Sequence, residues 1–248
     1  MTHTKPSLKG IHAIVFDFDG VLAESIDVKT RAYALLFRDE GEEVVRKVVD
    51  FHLKNGGVSR FEKIKFFYKD ILHRPLSDKL FQKLCDQYSR LVVDKVVVAP
   101  WVDGARDFLT HNKKKFILAI VSGTPEDELK NIIQRRGMNH FFNSVKGSPK
   151  SKVTLLSEVM DEHKLKPKNV VFIGDAKTDW LAARETGVHF LWRCVSTETP
   201  TPFGYVGPRL SSLRKLETNI ENLVYLQEIS LNNNFMSGEI PKEIGSLD

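Results

Sequence analysis

Ile11-His12-Ala13-Ile14-Val15-Phe16-Asp17-Phe18-Asp19-Gly20 is the stretch that decides the fold. A short apolar run, rich in β-branched residues, ends abruptly in a polar turn. That reads as a strand buried on both faces, of the kind found in parallel sheets. Similar runs recur at residues 116–121, 169–173 and 188–192, with a weaker one at 141–145. Helical patterns separate the later runs. Leu129, Ile132 and Ile133 share one face, Val153, Leu156, Val159 and Met160 another, and Leu181, Ala182 and Ala183 a third. Strand and helix alternating at this spacing predict an α/β core: a doubly wound, Rossmann-like parallel sheet wrapped by helices.

Residues 26–98 break that rhythm. Apolar residues there repeat at helical spacing in three groups: Val44, Val45, Val48, Val49 and His52; Phe61, Ile64, Phe67 and Ile71; Leu80, Leu84, Tyr88 and Leu91. No strand signal appears before the valine-rich end of the segment. The expectation is an α-helical cap domain at 26–98, inserted into a core made of 1–25 and 99–218. Asn55-Gly56-Gly57-Val58 marks a turn inside it, and Ser59 followed by Glu62 fits a capping box.

Composition narrows the function classes. The chain has 248 residues and a formal charge of +5, with the charges spread along it. Lys113-Lys114-Lys115 is the densest run and reads as a solvated helix end, so no nucleic-acid partner is expected. No apolar run approaches membrane-spanning length, and residues 1–10 lack an apolar leader, which predicts a cytoplasmic protein without a membrane partner. Cys85 and Cys194 lie far apart, outside any C-x-x-C pair, and read as small core hydrophobes. Trp101, Trp180 and Trp192 read as packing residues.

The chemistry-bearing residues collect where the predicted strands end. Open parallel sheets bind ligands outside the carboxyl ends of their strands. The first strand ends in Asp17 and Asp19, the second in Ser122-Gly123-Thr124, and the fourth in Gly174-Asp175, with Asp179 one helical turn on. Lys152 follows the third, with Lys150 as its competitor. Four carboxylates on one rim repel one another, and a hard cation such as Mg²⁺ resolves that repulsion while bridging to phosphate. Lys152 and the Ser122 hydroxyl suit phosphoryl oxygens. Thr124-Pro125 resembles the cap and first turn of a helix, whose free N–H groups favour an anion. A carboxylate nucleophile beside a metal and cationic donors suits phosphoryl transfer.

Four stretches in order carry a family resemblance: Asp17-Phe18-Asp19-Gly20-Val21-Leu22, Val121-Ser122-Gly123-Thr124, Gly147-Ser148-Pro149-Lys150-Ser151-Lys152, and Gly174-Asp175-Ala176-Lys177-Thr178-Asp179. Together they resemble the motifs of the haloacid dehalogenase superfamily of aspartate-nucleophile phosphatases, over roughly residues 11–218. The helical insert stands where that family's first type of cap stands. The resemblance implies that Asp17 attacks phosphorus and that Asp19 protonates the leaving oxygen and then activates water. It implies Mg²⁺ held by the Asp17 side chain, the Asp19 carbonyl and Asp175, with Asp179 as a ligand or close by. Ser122, Gly123 and Lys152 would bind the phosphate. Asp19 argues against dehalogenation, since that branch keeps no acid there. In such caps the Gly56-Gly57 turn faces the rim, so Arg60, Lys63 and Glu24 are candidates for choosing an anionic or hydroxyl-rich substrate. The implied activity is hydrolysis of a small phosphorylated metabolite. A sugar phosphomutase, or a scaffold with a relic site, are the competing readings.

Leu223 to Gly245 follows the pattern of one plant-type leucine-rich repeat. One copy cannot bury its own apolar face. Residues 219–248 are therefore expected to dock on the core, to be poorly ordered or to belong to an incomplete or fused chain, with a protein contact through this tail as a further expectation.

Overall fold

The apolar run after Gly10 becomes β1 (Ala13–Phe16), buried at all four positions. A computed structural model gives the fold and describes residues 10–197 and 204–222. The repeat-like stretch from Leu223 onward lies outside the described residues. β2 (Ile117–Pro125), β3 (Ser144–Ser148), β4 (Val170–Gly174), β5 (His189–Arg193) and β6 (Arg209–Leu210) complete a sheet of order β3-β2-β1-β4-β5-β6. Every pairing is parallel, and Ala13 stands opposite both Ile117 and Val170. The chain builds outward from β1 to β2 and β3, then returns to β4 on its other side. The β1–β4 boundary is thus the switch point where a crevice opens beyond the strand ends.

Between β1 and β2 the chain forms α1 (Ile26–Leu36), α2 (Glu42–Lys54), α3 (Arg60–Phe66) and α4 (Asp78–Val97), with α3 continuing through a π-helical turn at Phe67–Ile71. Ser59 and Ser77 cap α3 and α4 by accepting the N–H of Glu62 and Leu80, each at 3.3 Å. The two connections between this insert and the sheet run side by side. Glu24 N–H donates to Pro100 O at 2.9 Å, and Val102 N–H to Leu22 O at 3.1 Å.

The strands explain the two-faced wrapping. Ala13 and Val15 face one side, where Leu155, Leu156 and Val159 of α7 (Lys152–Glu162) and Ala182 and Ala183 of α8 (Lys177–Thr186) close over them. Ile14 and Phe16 face the other side, against Phe108 and Leu109 of α5 (Ala105–Asn112) and Leu129, Ile132 and Ile133 of α6 (Glu126–Arg135). Tyr33, Val48, Ile64 and Val92 of the insert belong to this same cluster. Leu210, Leu213 and Leu216 close its edge and are buried, as is Trp192 on the opposite face. Both cysteines are free. Among the described residues, no helix is long and apolar enough to cross a membrane.

Two local expectations need correction. The third strand begins at Ser144, because residues Asn139–Phe141 form a 3₁₀ turn and Asn143 anchors to Leu118 through its backbone and its side chain. The valine-rich end of the insert is helical: Val92 and Val96 lie one turn apart on the buried face of α4, and packing overrides their strand propensity. α1 and β6 were not foreseen.

Candidate active site

β1 delivers Asp17 to the switch point, with its backbone N–H held by Ile173 O of β4 at 2.9 Å. The residue is 3% exposed. Phe18 N–H donates to Oδ1 at 2.6 Å and Lys152 Nζ to Oδ2 at 2.7 Å. Lys152 opens α7 just after its cap, Ser151, and also donates to Asp179 Oδ1 at 2.5 Å. Lys150 is exposed and pairs with Glu158, so it is Lys152 that enters the site. Asp179, in the first turn of α8, accepts the Ala176 N–H at 3.0 Å. Gly20 takes a left-handed φ of +78°, and a Cβ there would overlap the Asp175 carboxylate. Glycine at this point lets the first motif lie directly against the fourth.

Oxygens of Asp17, Asp175 and Asp179 lie within 4.8 Å of one another. Of these three clustered carboxylates, Asp17 and Asp179 pair with the one ammonium of Lys152. Burial would lower the lysine's pKa, but Asp17 and Asp179 outweigh it and raise it, so Lys152 is charged. Burial, then the charges of Asp17 and Asp179, push the Asp175 carboxyl well above the usual carboxylate range. The donor set is all oxygen and carries surplus negative charge. Both properties fit a hard divalent cation such as Mg²⁺.

Asp19 turns away from this cluster. Burial raises its pKa, but the Lys29 charge and hydrogen bonds from Lys29, Ser25 and Thr124 win, leaving it below the usual range. Ser25 Oγ donates to it at 2.6 Å and Thr124 Oγ1 at 3.1 Å, while Lys29 Nζ donates to Thr124 Oγ1 at 2.8 Å. Thr124 therefore serves Asp19. The strand continues beyond the apolar run at 116–121 as far as Pro125, which occupies the cap position of α6. Ser122, 1% exposed, accepts the Thr124 N–H at 3.2 Å and lines the cavity with Gly123.

The insert roofs these residues, enclosing a cavity of about 860 Å³. Its Gly56-Gly57 turn rests on the strand ends: Thr178 Oγ1 donates to Gly56 O at 3.1 Å, and a Cβ on Gly123 would come within 2.5 Å of Gly57 O. The three candidates for choosing substrate fare differently. Lys63 lines the cavity, 2% exposed, with its Nζ 2.8 Å from His52 Nδ1. Arg60 also borders the cavity, but its guanidinium is clamped by both oxygens of Glu128 and by Ser89. Glu24 is not among the lining residues; Arg193 Nη2 donates to its Oε1 at 2.5 Å. Sequence reasoning missed Lys29 and Glu128, and read Thr124 as a helix cap instead of a partner of Asp19. It noticed His52 only as part of an apolar stripe; a histidine at a core position of an amphipathic helix was the available signal.

The model of the haloacid dehalogenase-like hydrolase family matches residues 14–193. A phosphoglycolate phosphatase of Aliivibrio fischeri is 26% identical over 188 residues, covering 72% of this chain and 82% of that protein. A phosphorylated carbohydrates phosphatase of Thermotoga maritima is 22% identical over 192 residues, covering 75% and 86%. Among solved structures, CbbY of Rhodobacter sphaeroides in complex with xylulose-(1,5)bisphosphate superimposes with a TM-score of 0.66 at 18% identity, covering 83% of this chain and 96% of that one. The HAD-hydrolase YfnB of Bacillus subtilis, bound to magnesium, gives 0.63 at 18%, covering 86% and 99%. With the family model matched from β1 through β5, this chain is an enzyme of the haloacid dehalogenase-like hydrolase family.

Proposed function

We propose that the protein is a Mg²⁺-dependent phosphatase of small phosphate monoesters, working through a phosphoryl group carried on Asp17. The carrying observation is the pairing of two differently treated acids around one cavity: Asp17 held by Lys152 and the Phe18 N–H, and Asp19 held by Lys29, Ser25 and Thr124. Asp17, Asp175, Asp179 and the Asp19 carbonyl would hold the cation. When bound, it supplies neutralisation of charge on the phosphoryl oxygens and on the carboxylates around them.

An Asp17 oxygen forms the bond to phosphorus as the bond to the leaving oxygen breaks. Lys152, Ser122 and the Gly123 N–H bind the transferred group. Asp19 gives its proton to the leaving oxygen, then takes one from the water that attacks the phospho-aspartate. In the resting site the Lys29 charge keeps Asp19 ionised, so the proton it later gives to the leaving oxygen is first taken up from solvent water as the substrate binds. An arriving phosphate dianion draws on Lys29 and raises Asp19's proton affinity, readying it as the acid. Residues 26–98 act as a cap that closes over a core of 1–25 and 99–218 and excludes water during transfer. The names of the relatives guide the choice of substrates to assay.

The test is phosphate release with Mg²⁺ from p-nitrophenyl phosphate, 2-phosphoglycolate and sugar mono- and bisphosphates. Wild type should turn over at least one of them. Asp17→Asn should lose at least a thousandfold, roughly 4 kcal/mol of barrier, while keeping its circular dichroism spectrum. A chelator should abolish turnover, and added Mg²⁺ should restore it. Phosphate release that persists in Asp17→Asn would refute the mechanism.

A further inference from the structure

The roof of the cavity holds two side chains that phosphoryl transfer at Asp17 leaves without a role. Lys63 is buried in α3, and its hydrogen-bond partner among the described residues is a histidine, not a carboxylate. An ammonium only donates, so His52 Nδ1 accepts and the imidazole proton sits on Nε2. That Nε2 is buried and meets no partner among the described residues. His52 is 8% exposed, and both residues line the cavity.

A buried ammonium with no carboxylate hydrogen-bonded to it, beside a buried donor with no acceptor among the described residues, is an unfavourable pair. Both deficits have the same remedy, an oxyanion. The neighbouring Arg60 makes no such demand, because Glu128 answers its charge and Tyr88 covers its face. Lys29 on the cavity wall already answers Asp19.

We propose that Lys63 and His52 form a second anion subsite, and that the substrate's leaving group carries a carboxylate or a second phosphoryl group that docks there. This rests on the phosphatase reading above and narrows it to substrates with an anion at each end. The 860 Å³ cavity accommodates such a molecule between floor and roof. Charge balance supports the assignment. Burial, followed by the charges of Lys29 and Lys152, depresses Lys63 to about 7, and a bound oxyanion restores its full charge.

Matched substrates test this. Wild-type enzyme with Mg²⁺ is given 2-phosphoglycolate against 2-hydroxyethyl phosphate, and a sugar bisphosphate against the corresponding monophosphate. The expected result is a kcat/KM at least tenfold higher for the doubly charged member of one pair, and that pair identifies the anion as carboxylate or phosphoryl. Lys63→Met and His52→Phe should each reduce this ratio by tenfold or more, and Lys63→Arg should recover part of it. A wild-type ratio near one in both pairs overturns the proposal. So does a ratio that survives Lys63→Met. If Lys63→Met fails to fold by circular dichroism, the wild-type ratio and His52→Phe decide. Failure of the underlying reading looks different: wild type would then release no more phosphate than Asp17→Asn from any compound, p-nitrophenyl phosphate included.

Discussion

The floor and the roof of the cavity carry opposite imbalances. On the floor, Asp17, Asp175 and Asp179 cluster together, and one lysine pairs with two of them. On the roof, Lys63 has a neutral histidine for company. The floor is built on strand ends and first helical turns, where Lys152 and the Phe18 and Ala176 N–H groups hold Asp17 and Asp179. The roof is built on α2 and α3 of the insert between β1 and β2, which shares a hydrophobic cluster with one face of the sheet. Cation on the floor and anion on the roof would complete a charge pattern that neither half completes alone. On the proposed reading, the difference assigns the chemistry to the floor and the choice of substrate to the roof. Breaking the attachment is therefore the most informative perturbation.

The strongest attachment is Arg60 on Glu128. Their side chains are 4% and 10% exposed, and Ser89 joins them by donating to Glu128 Oε2 at 2.6 Å. Removing one partner strands the other charge beneath the insert, which costs about 3–5 kcal/mol. Arg60→Met and Glu128→Gln should each lower stability by about this much, measured by urea unfolding. The double variant should cost clearly less than their sum. Additive losses would mean that the pair is not the clamp joining roof to floor.

Next in size is the Gly56-Gly57 turn. Gly57 takes φ +73°, and a Cβ there would overlap the Thr178 hydroxyl and come to 3.0 Å from Lys152 Nζ. Gly57→Ala should lower kcat/KM by about tenfold or more, roughly 1.4 kcal/mol, by lifting the turn from the strand ends. Adding Thr178→Ala should recover part of that loss, because it removes the overlapping atom. No recovery would assign the whole effect to the left-handed backbone.

How legible these features were follows from their physics. The sheet and its acids could be read because buried parallel strands are continuous apolar runs and the motifs sit at their ends; Asp17, Asp175 and Asp179 duly meet. The turn at Gly56-Gly57 was legible from two glycines in a row. Arg60's true partner was not, because Glu128 lies 68 residues away on α6 and nothing local marks it. Glu24 pairs with Arg193 across 169 residues for the same reason. Lys29 escaped notice because α1 has a diluted apolar face, and its meeting with Asp19 depends on how the insert folds back. Long-range pairing of charges leaves no periodicity to read.

The smallest effect separates the roof from the floor by pH. Burial, then the charges of Lys63 and Lys29, lowers His52 from 6.5 to about 3. The unfolded chain thus binds a proton near pH 6.5 that the folded chain refuses until about pH 3. Between those values the unfolded state holds more protons, so stability falls as pH falls, with a slope from this residue of at most about 1.4 kcal/mol per pH unit. In His52→Gln that slope is gone, because the side chain does not titrate. Melting temperatures compared from pH 6.5 to 4.5 should therefore fall more steeply in wild type than in His52→Gln, whatever the carboxylates contribute to both. Parallel curves would mean that His52 accepts a proton in the folded state as readily as in the unfolded one. The roof would then hold an ordinary solvated imidazole, and its contrast with the carboxylate floor would lose its electrostatic basis.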